Sequence, residues 1–309
     1  MNSESGKFFL LRGMAHEKSH LPNWTGLLGW STKFHDGTSA SQFGPMDAER
    51  REWLEKALTS AFEGVEDPFK LMHKAVHEIS DGKISAGLDL LDYTSDFPDC
   101  AEELDKVGAL SALIELVKST DALIVRRALE VLNLYLPNNP RVQLAAGMKF
   151  DAMSVFKSAI LRLREDDEVV HASLSAIGSL IRNVEPLEKG FVRDGNLEFV
   201  VEIATHSNVA HTVQKVVGIV CFLSERHDLL SHKAVIEKLT KAVYSRRGTL
   251  FDNENVQFWE IAAKMIQIPC LSPECSILFK DRLQWLKHLE GHAQEDFSEE
   301  IRILSSSPS

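Results

Sequence analysis

The feature that most constrains this chain is a unit that recurs every 41 to 45 residues. Two copies lie side by side between Ile124 and Asn183. Each is an apolar helical stretch with Ala and Leu three and four residues apart, closed by a short polar segment and followed by a second helical stretch. Ala128, Leu129 and Leu132 in one copy correspond to Ser173, Leu174 and Ile177 in the next, and Asn138 corresponds to Asn183. Extending the pattern both ways gives the register Asp89, Glu130, Ser175, Val217 and Trp259, with steps of 41, 45, 42 and 42 residues. A unit of this kind cannot bury its apolar face alone. Copies must stack, each covering its neighbour.

A period of about 40–47 residues built of helices is that of armadillo and HEAT repeats. The expected fold is all-α, an armadillo-like α-solenoid of about four to five repeats. It has an N-terminal helical cap over 46–82, repeats and a C-terminal cap helix over 83–304, and a tail over 305–309. Between the register helices lie second apolar runs: Gly108 to Leu116, Met153 to Leu161, Leu197 to Ile203 and Val235 to Val243. Gly108 and Gly195 precede two of them, where a sharp turn between helices needs left-handed backbone. Upstream, the spacing predicts a helix over 47–63 capped by Asp47, with Leu54, Leu58, Ala61 and Phe62 on one face, Trp53 at its border and Gly64 at its end. A second helix follows over 67–79, with Phe69, Met72, His73 and Val76 inward. The last helical stretch is 283–299, polar enough on one side to close a stack. Residues 1–45 are polar and Gly/Ser-rich, and bury too little apolar surface to order themselves.

The chain has 309 residues with a net charge of −11. A nucleic-acid binder needs clustered Lys and Arg to displace counterions, so no nucleic-acid partner is expected. No stretch approaches the ~18 apolar residues of a membrane span, so no membrane partner is expected either. The four cysteines, Cys100, Cys221, Cys270 and Cys275, read as thiols of a reducing compartment.

No catalytic constellation emerges. His16-Glu17-Lys18-Ser19-His20 is a literal H-E-x-x-H. A zinc hydrolase needs that motif on a rigid helix with a third ligand. Here Pro22 follows closely and no apolar helical flank exists. Cys270 and Cys275 lack a partner pair and the usual metal-ligand spacing. His227 reads as a loop residue and His232 as a helix-start residue. No phosphate-binding loop, dinucleotide fingerprint or nucleophile elbow occurs. The chain is expected to have no metal, no cofactor and no catalytic residue, and to act as a monomer that binds another protein.

Three stretches resemble one family, the armadillo-type nucleotide exchange factors of heat-shock protein 70 (the Fes-one and heat-shock-70-binding protein family). The first is Trp24-Thr25-Gly26-Leu27-Leu28-Gly29-Trp30-Ser31 with His35-Asp36-Gly37-Thr38. The second is Met46 to Leu54, continuing to Phe62. The third is Gly87-Leu88-Asp89-Leu90-Leu91, with Asn138-Asn139-Pro140-Arg141 and Ser179-Leu180-Ile181-Arg182-Asn183. The resemblance spans roughly Pro22 to Leu304, and the last third matches in pattern alone. It implies a curved solenoid that embraces one lobe of the ATPase domain of cytosolic heat-shock protein 70 and promotes ADP release. It also implies that the N-terminal segment helps displace client peptides. Phe8, Phe9, Leu10 and Leu11, flanked by Lys7 and Arg12, suit that role, as do Trp24, Leu27, Leu28 and Trp30.

Helical geometry then proposes the working face. Leu174, Ile177 and Ile181 point into the stack, whereas Ser175, Ser179 and Arg182 share a separate stripe. The equivalent stripe holds Asp89, Tyr93 and Asp96 in one repeat, and Glu130, Leu134 and Asn138 in another. Asn183 and Cys221 complete the expected face. Peptide-holding armadillo grooves carry a ladder of Asn preceded by Trp. Tyr93, Leu134, Ser179, Cys221 and Ala263 occupy the Asn register, so a general peptide scaffold is the alternative rather than the leading reading.

Overall fold

The computed structural model describes residues 48–62 and 66–245. The chain divides into two compact units, Met1–Asp67 and Pro68–Ser309. The expected features at residues 1–45, Asp47, Gly64, Trp259, Cys270, Cys275 and 283–299 lie outside the described residues.

The first unit contributes helix α1, Ala48–Phe62, which meets the predicted span. Trp53 on it is exposed.

The second unit is a stack of helices. α2 (Pro68–Ser80) and α3 (Ile84–Thr94) open it. Three full repeats follow, each with a short first helix, a second helix and a third. They are α4 (Pro98–Glu103), α5 (Ala109–Val117) and α6 (Ala122–Tyr135). Next come α7 (Pro140–Leu144), α8 (Ala152–Arg162) and α9 (Asp167–Ile181), with a π turn over Ala145–Lys149 running on from α7. The third repeat is α10 (Glu185–Arg193), α11 (Asn196–His206) and α12 (Ala210–Arg226). A 3-10 turn at Leu230–His232 leads into α13 (Lys233–Ser245). Among the described residues there is no strand. None of these helices is long and apolar enough to cross a membrane.

The order of contacts is that of an armadillo-like solenoid. Third helices pack on third helices, α3 on α6, α6 on α9 and α9 on α12; second helices do likewise, α2 on α5, α5 on α8 and α11 on α13. Leu129, Leu132, Leu174, Ile177, Ile181, Val216 and Val220 are fully buried between them. Each such side chain contributes about 1.5–3 kcal/mol by leaving water.

The turns explain the repeating sequence marks. Gly108, Asp151 and Gly195 sit one repeat apart at the starts of α5, α8 and α11, all with left-handed φ of 81°, 48° and 73°. Asn138 and Asn183, at φ 60° and 64°, turn the chain at the ends of α6 and α9. Asn tolerates that conformation better than other non-Gly residues. Asp121 and Asp166, also one repeat apart, cap the third helices: Asp121 accepts from the Leu123 and Ile124 amides, and Asp166 from Val169.

Two expectations need correction. On α2 the inward residues are Leu71, Met72 and Ala75, while Phe69 and His73 are exposed. The α2–α3 crossing sets this face. It is so close that a Cβ on Gly87 would meet Ile79 Cγ1 at 2.5 Å and the Ala75 carbonyl oxygen at 2.7 Å. The second correction is the register on α12. Val217 is buried at 1% exposure, and Gly218, forty-three residues after Ser175, takes the outward place. The run Val216-Val217-Gly218-Ile219-Val220 is apolar on every side, so its pattern alone does not mark the face.

Candidate partner-binding face

The third helices present one stripe each to a common face. Asp89 and Tyr93 lie on α3, Glu130 and Leu134 on α6, and Ser175 and Ser179 on α9, with Arg182 at the end of α9. All are exposed or half-buried. Tyr93 and Leu134 are each 48% exposed, large for apolar groups on a solenoid with its core already filled. The corrected register puts Gly218 and Phe222 on the α12 stripe, and Cys221 one step beside it, half-buried. The Asn-ladder register thus holds Tyr93, Leu134, Ser179 and Phe222, with no Asn.

Charge is unevenly distributed along this face. At the α3–α6 end, carboxylates gather around Arg127, and Arg126 lies 3.4 Å from Glu130. The Arg127 guanidinium lies 3.0 Å from Asp89, 3.5 Å from Asp92 and 3.1 Å from Glu130. The carboxylates of these pairs face solvent, so each pair contributes little stability, of order 0–1 kcal/mol. Their consequence is placement: two of the expected face residues, Asp89 and Glu130, belong to one network, joined by a cation that the sequence stripe did not include.

In the middle, α6 and α9 are tied by polar contacts. Asn133 Nδ2 donates to the Ala172 carbonyl at 3.2 Å, and Ser179 Oγ donates to Asn133 Oδ1 at 3.2 Å. Ser179 is therefore partly engaged within the fold.

The α9–α12 end is basic. Arg182 Cζ lies 4.6 Å from the Phe222 ring centroid, and Arg226 Cζ lies 5.6 Å from the same ring. Arg226 is anchored from behind. Its Nε is 3.0 Å from both carboxylate oxygens of Glu188, and His227 Nε2 is 2.7 Å from the same group. Glu188 is fully buried, and a buried carboxylate persists only when paired in this way. His227 is the expected loop residue. His232 sits in the turn before α13, its Nδ1 2.7 Å from Glu198.

The backbone of Arg182 is also held from behind. Gln143, 1% exposed on α7, places its amide nitrogen 2.7 Å from the Ser179 carbonyl, 3.2 Å from Leu180 and 2.8 Å from Arg182. These are the carbonyls that the end of α9 leaves without helical donors. Gln143 and Glu188 occupy the same place in successive repeats. Sequence reasoning missed both. The available signal was a polar residue recurring at 45 residues in the first helix of a repeat.

Asn138 and Asn183, expected on the face, are exposed but serve as left-handed turns at its edge. Among the described residues no group of His, Cys, Asp or Glu could hold a metal ion. Cys100 and Cys221 are thiols.

The comparisons with known proteins agree with this architecture. The family description SIL1/FES1/HPBP1 C-terminal domain matches residues 100–258, about half of the chain. The nucleotide exchange factor SIL1 of Xenopus laevis is 28% identical over 224 residues, 67% of this chain and 46% of that protein. The chain thus spans about half the length of this relative. Among solved structures, a designed armadillo repeat protein in complex with the peptide (KR)4 superposes with a TM-score of 0.56 at 15% identity, covering 76% of this chain and 97% of the other. That likeness shows the fold. With the fold and the matched segment together, the chain belongs to the armadillo-like SIL1/FES1/HPBP1 family.

Proposed function

We propose that this chain binds the ATPase domain of heat-shock protein 70 through the third-helix face and promotes release of ADP, without itself catalysing a reaction. The observation that carries the reading is the family match, which begins at Cys100 in α4 and runs through every element from there to α13. The exposed Tyr93, Leu134 and Arg182 on a continuous face supply the kind of surface such a contact needs. Exchange follows from differential binding: the factor must hold the open, nucleotide-weak state of the ATPase domain more tightly than the closed one. By reciprocity, ADP must weaken the factor's own binding. Release of labelled ADP from purified heat-shock protein 70, with and without the chain, tests this directly.

We place the protein in the cytosol as a monomer with no nucleic-acid or membrane partner. The thiols Cys100 and Cys221 and the net charge of −11 support that placement. We assign client release to Phe8–Leu11 and to Trp24, Leu27, Leu28 and Trp30, as short apolar stretches that resemble chaperone clients. Deleting residues 1–33 is expected to leave ADP release unchanged while slowing release of a bound client peptide. Equal client release by the truncated and full chains would refute that role. An armadillo scaffold for another protein or peptide is the second reading, and the missing Asn ladder counts against it.

A further inference from the structure

The basic end of the third-helix face contains charges that the fold does not neutralise. Lys215 on α12 is half-buried, and no carboxylate of the described residues pairs with it. Burial and the nearby Arg182 guanidinium both push its ammonium below the ordinary lysine range. Arg182 itself makes no ion pair with a described residue and rests on Phe222. One helical turn before Lys215, His211 meets His171 of α9 edge to face, with ring centroids 4.5 Å apart. Burial holds the His171 imidazole low, helped by His211 and Lys215 and opposed by Glu168. His171 Nδ1 is buried and lacks a hydrogen-bond partner. Elsewhere on the stack, several cations find carboxylates across repeats: Arg127 with Asp89, Arg141 with Glu102, Lys149 with Asp105. At the α9–α12 end Arg226 finds Glu188 in the same way, but Lys215 and Arg182 have no such carboxylate among the described residues, in a chain with an excess of eleven negative charges.

Like charges held together at a partly desolvated site destabilise the fold. Such an arrangement is expected where a ligand of the opposite charge completes it. The space for that ligand is present. A Cβ added to Gly218, between Lys215 and Phe222, meets nothing within 4 Å, and Ser175 and Ser179 keep the α9 side shallow.

We propose that this end of the face is a receptor for an acidic polypeptide segment, whose carboxylates pair with Lys215 and Arg182 across the backbone at Gly218. It deepens the reading of the face as the chaperone contact and rests on that reading for the physiological partner. The opposite end sets Asp89, Asp92 and Glu130 against Arg127 and Arg126 and keeps surplus negative charge. A partner seated on the whole face would then align an acidic patch with α9–α12 and a basic one with α3–α6. Charge complementarity of this kind fixes orientation and encounter rate.

The test uses the full chain and a fluorescein-labelled deca-glutamate peptide, read by fluorescence anisotropy at low salt, so its outcome is independent of any chaperone assay. The wild-type chain should bind saturably. Lys215→Glu should weaken binding at least about tenfold, and Gly218→Phe should weaken it comparably by filling the open space. Lys118→Glu, on an exposed pair with Glu115 away from this face, should leave it unchanged. Lys215→Met removes the charge and keeps the stem. It should also weaken binding while raising Tm by about 1–2 °C, because it relieves the uncompensated charge. Absent binding, or binding indifferent to Lys215→Glu and Gly218→Phe in folded proteins, overturns the proposal. Tighter binding of a ten-nucleotide oligothymidylate that is lost in Lys215→Glu would reassign the site to phosphate and overturn it equally.

Discussion

Replacing Gln143 with leucine is expected to destabilise the repeat unit by about 2–3 kcal/mol, lowering Tm by roughly 3–6 °C for a protein of this size. Leucine is close to glutamine in volume, so the change opens little cavity. What it removes is the only side-chain amide aimed at the Ser179, Leu180 and Arg182 carbonyls among the hydrogen bonds described at that helix end. Gln143 and Leu180 are buried, so water does not replace the lost donor at the Leu180 carbonyl, while the Ser179 and Arg182 carbonyls are partly covered. An unsatisfied buried acceptor costs about 1–3 kcal/mol, and two partly covered ones lose their donor with it. Thermal unfolding followed by circular dichroism checks the figure. A Tm within 2 °C of wild type would mean that the carbonyls find other donors, and the assigned role of Gln143 would be wrong.

The second large effect is functional. Arg182→Ala should reduce affinity for the ATPase domain of heat-shock protein 70 at least about thirtyfold, which corresponds to about 2 kcal/mol. Arginine is enriched among residues whose truncation costs that much at interfaces. In the free chain this side chain is exposed and its visible contact is the Phe222 ring at 4.6 Å. An exposed cation–π contact contributes about 0.5–1 kcal/mol. Fold stability should therefore fall by no more than about 2 °C in Tm. The two variants then show opposite profiles: Gln143→Leu is mainly a stability defect, Arg182→Ala mainly a binding defect. Calorimetric titration decides the second. Unchanged affinity in a folded Arg182→Ala protein would move the contact surface elsewhere.

Much of the fold was legible in the sequence because the repeat makes the same physical demand several times. A third helix that buries two faces needs Leu, Ile or Val at fixed spacing, and Leu129, Leu174 and their neighbours obey. A tight turn needs glycine, and Gly108 and Gly195 fall at equivalent places. The slip from Gly218 to Val217 occurred where that demand gives no contrast, in a run apolar on all sides. On α2, the inward set of Leu71, Met72 and Ala75 depends on how closely Gly87 lets α3 approach, a tertiary fact that helical spacing does not contain.

The face was legible as a stripe of outward positions, but not in its pairings. Spacing identified Asp89, Glu130 and Arg182. It did not show that Arg127 joins the first two, or that Phe222 rather than Cys221 follows Ser179 in the next repeat. Nor did it distinguish Asn138 and Asn183 as turn residues from contact residues. Gln143 and Glu188 stayed hidden because a polar side chain in a short helix looks solvated until its neighbours in space are known.

The most direct test of the central claim is the release of labelled ADP from purified cytosolic heat-shock protein 70, followed in real time with excess unlabelled nucleotide. The rate should rise with the concentration of this chain and saturate. Arg182→Ala should need about thirtyfold more protein to reach the same rate. A release rate that does not change at any concentration of folded wild-type chain would contradict the account.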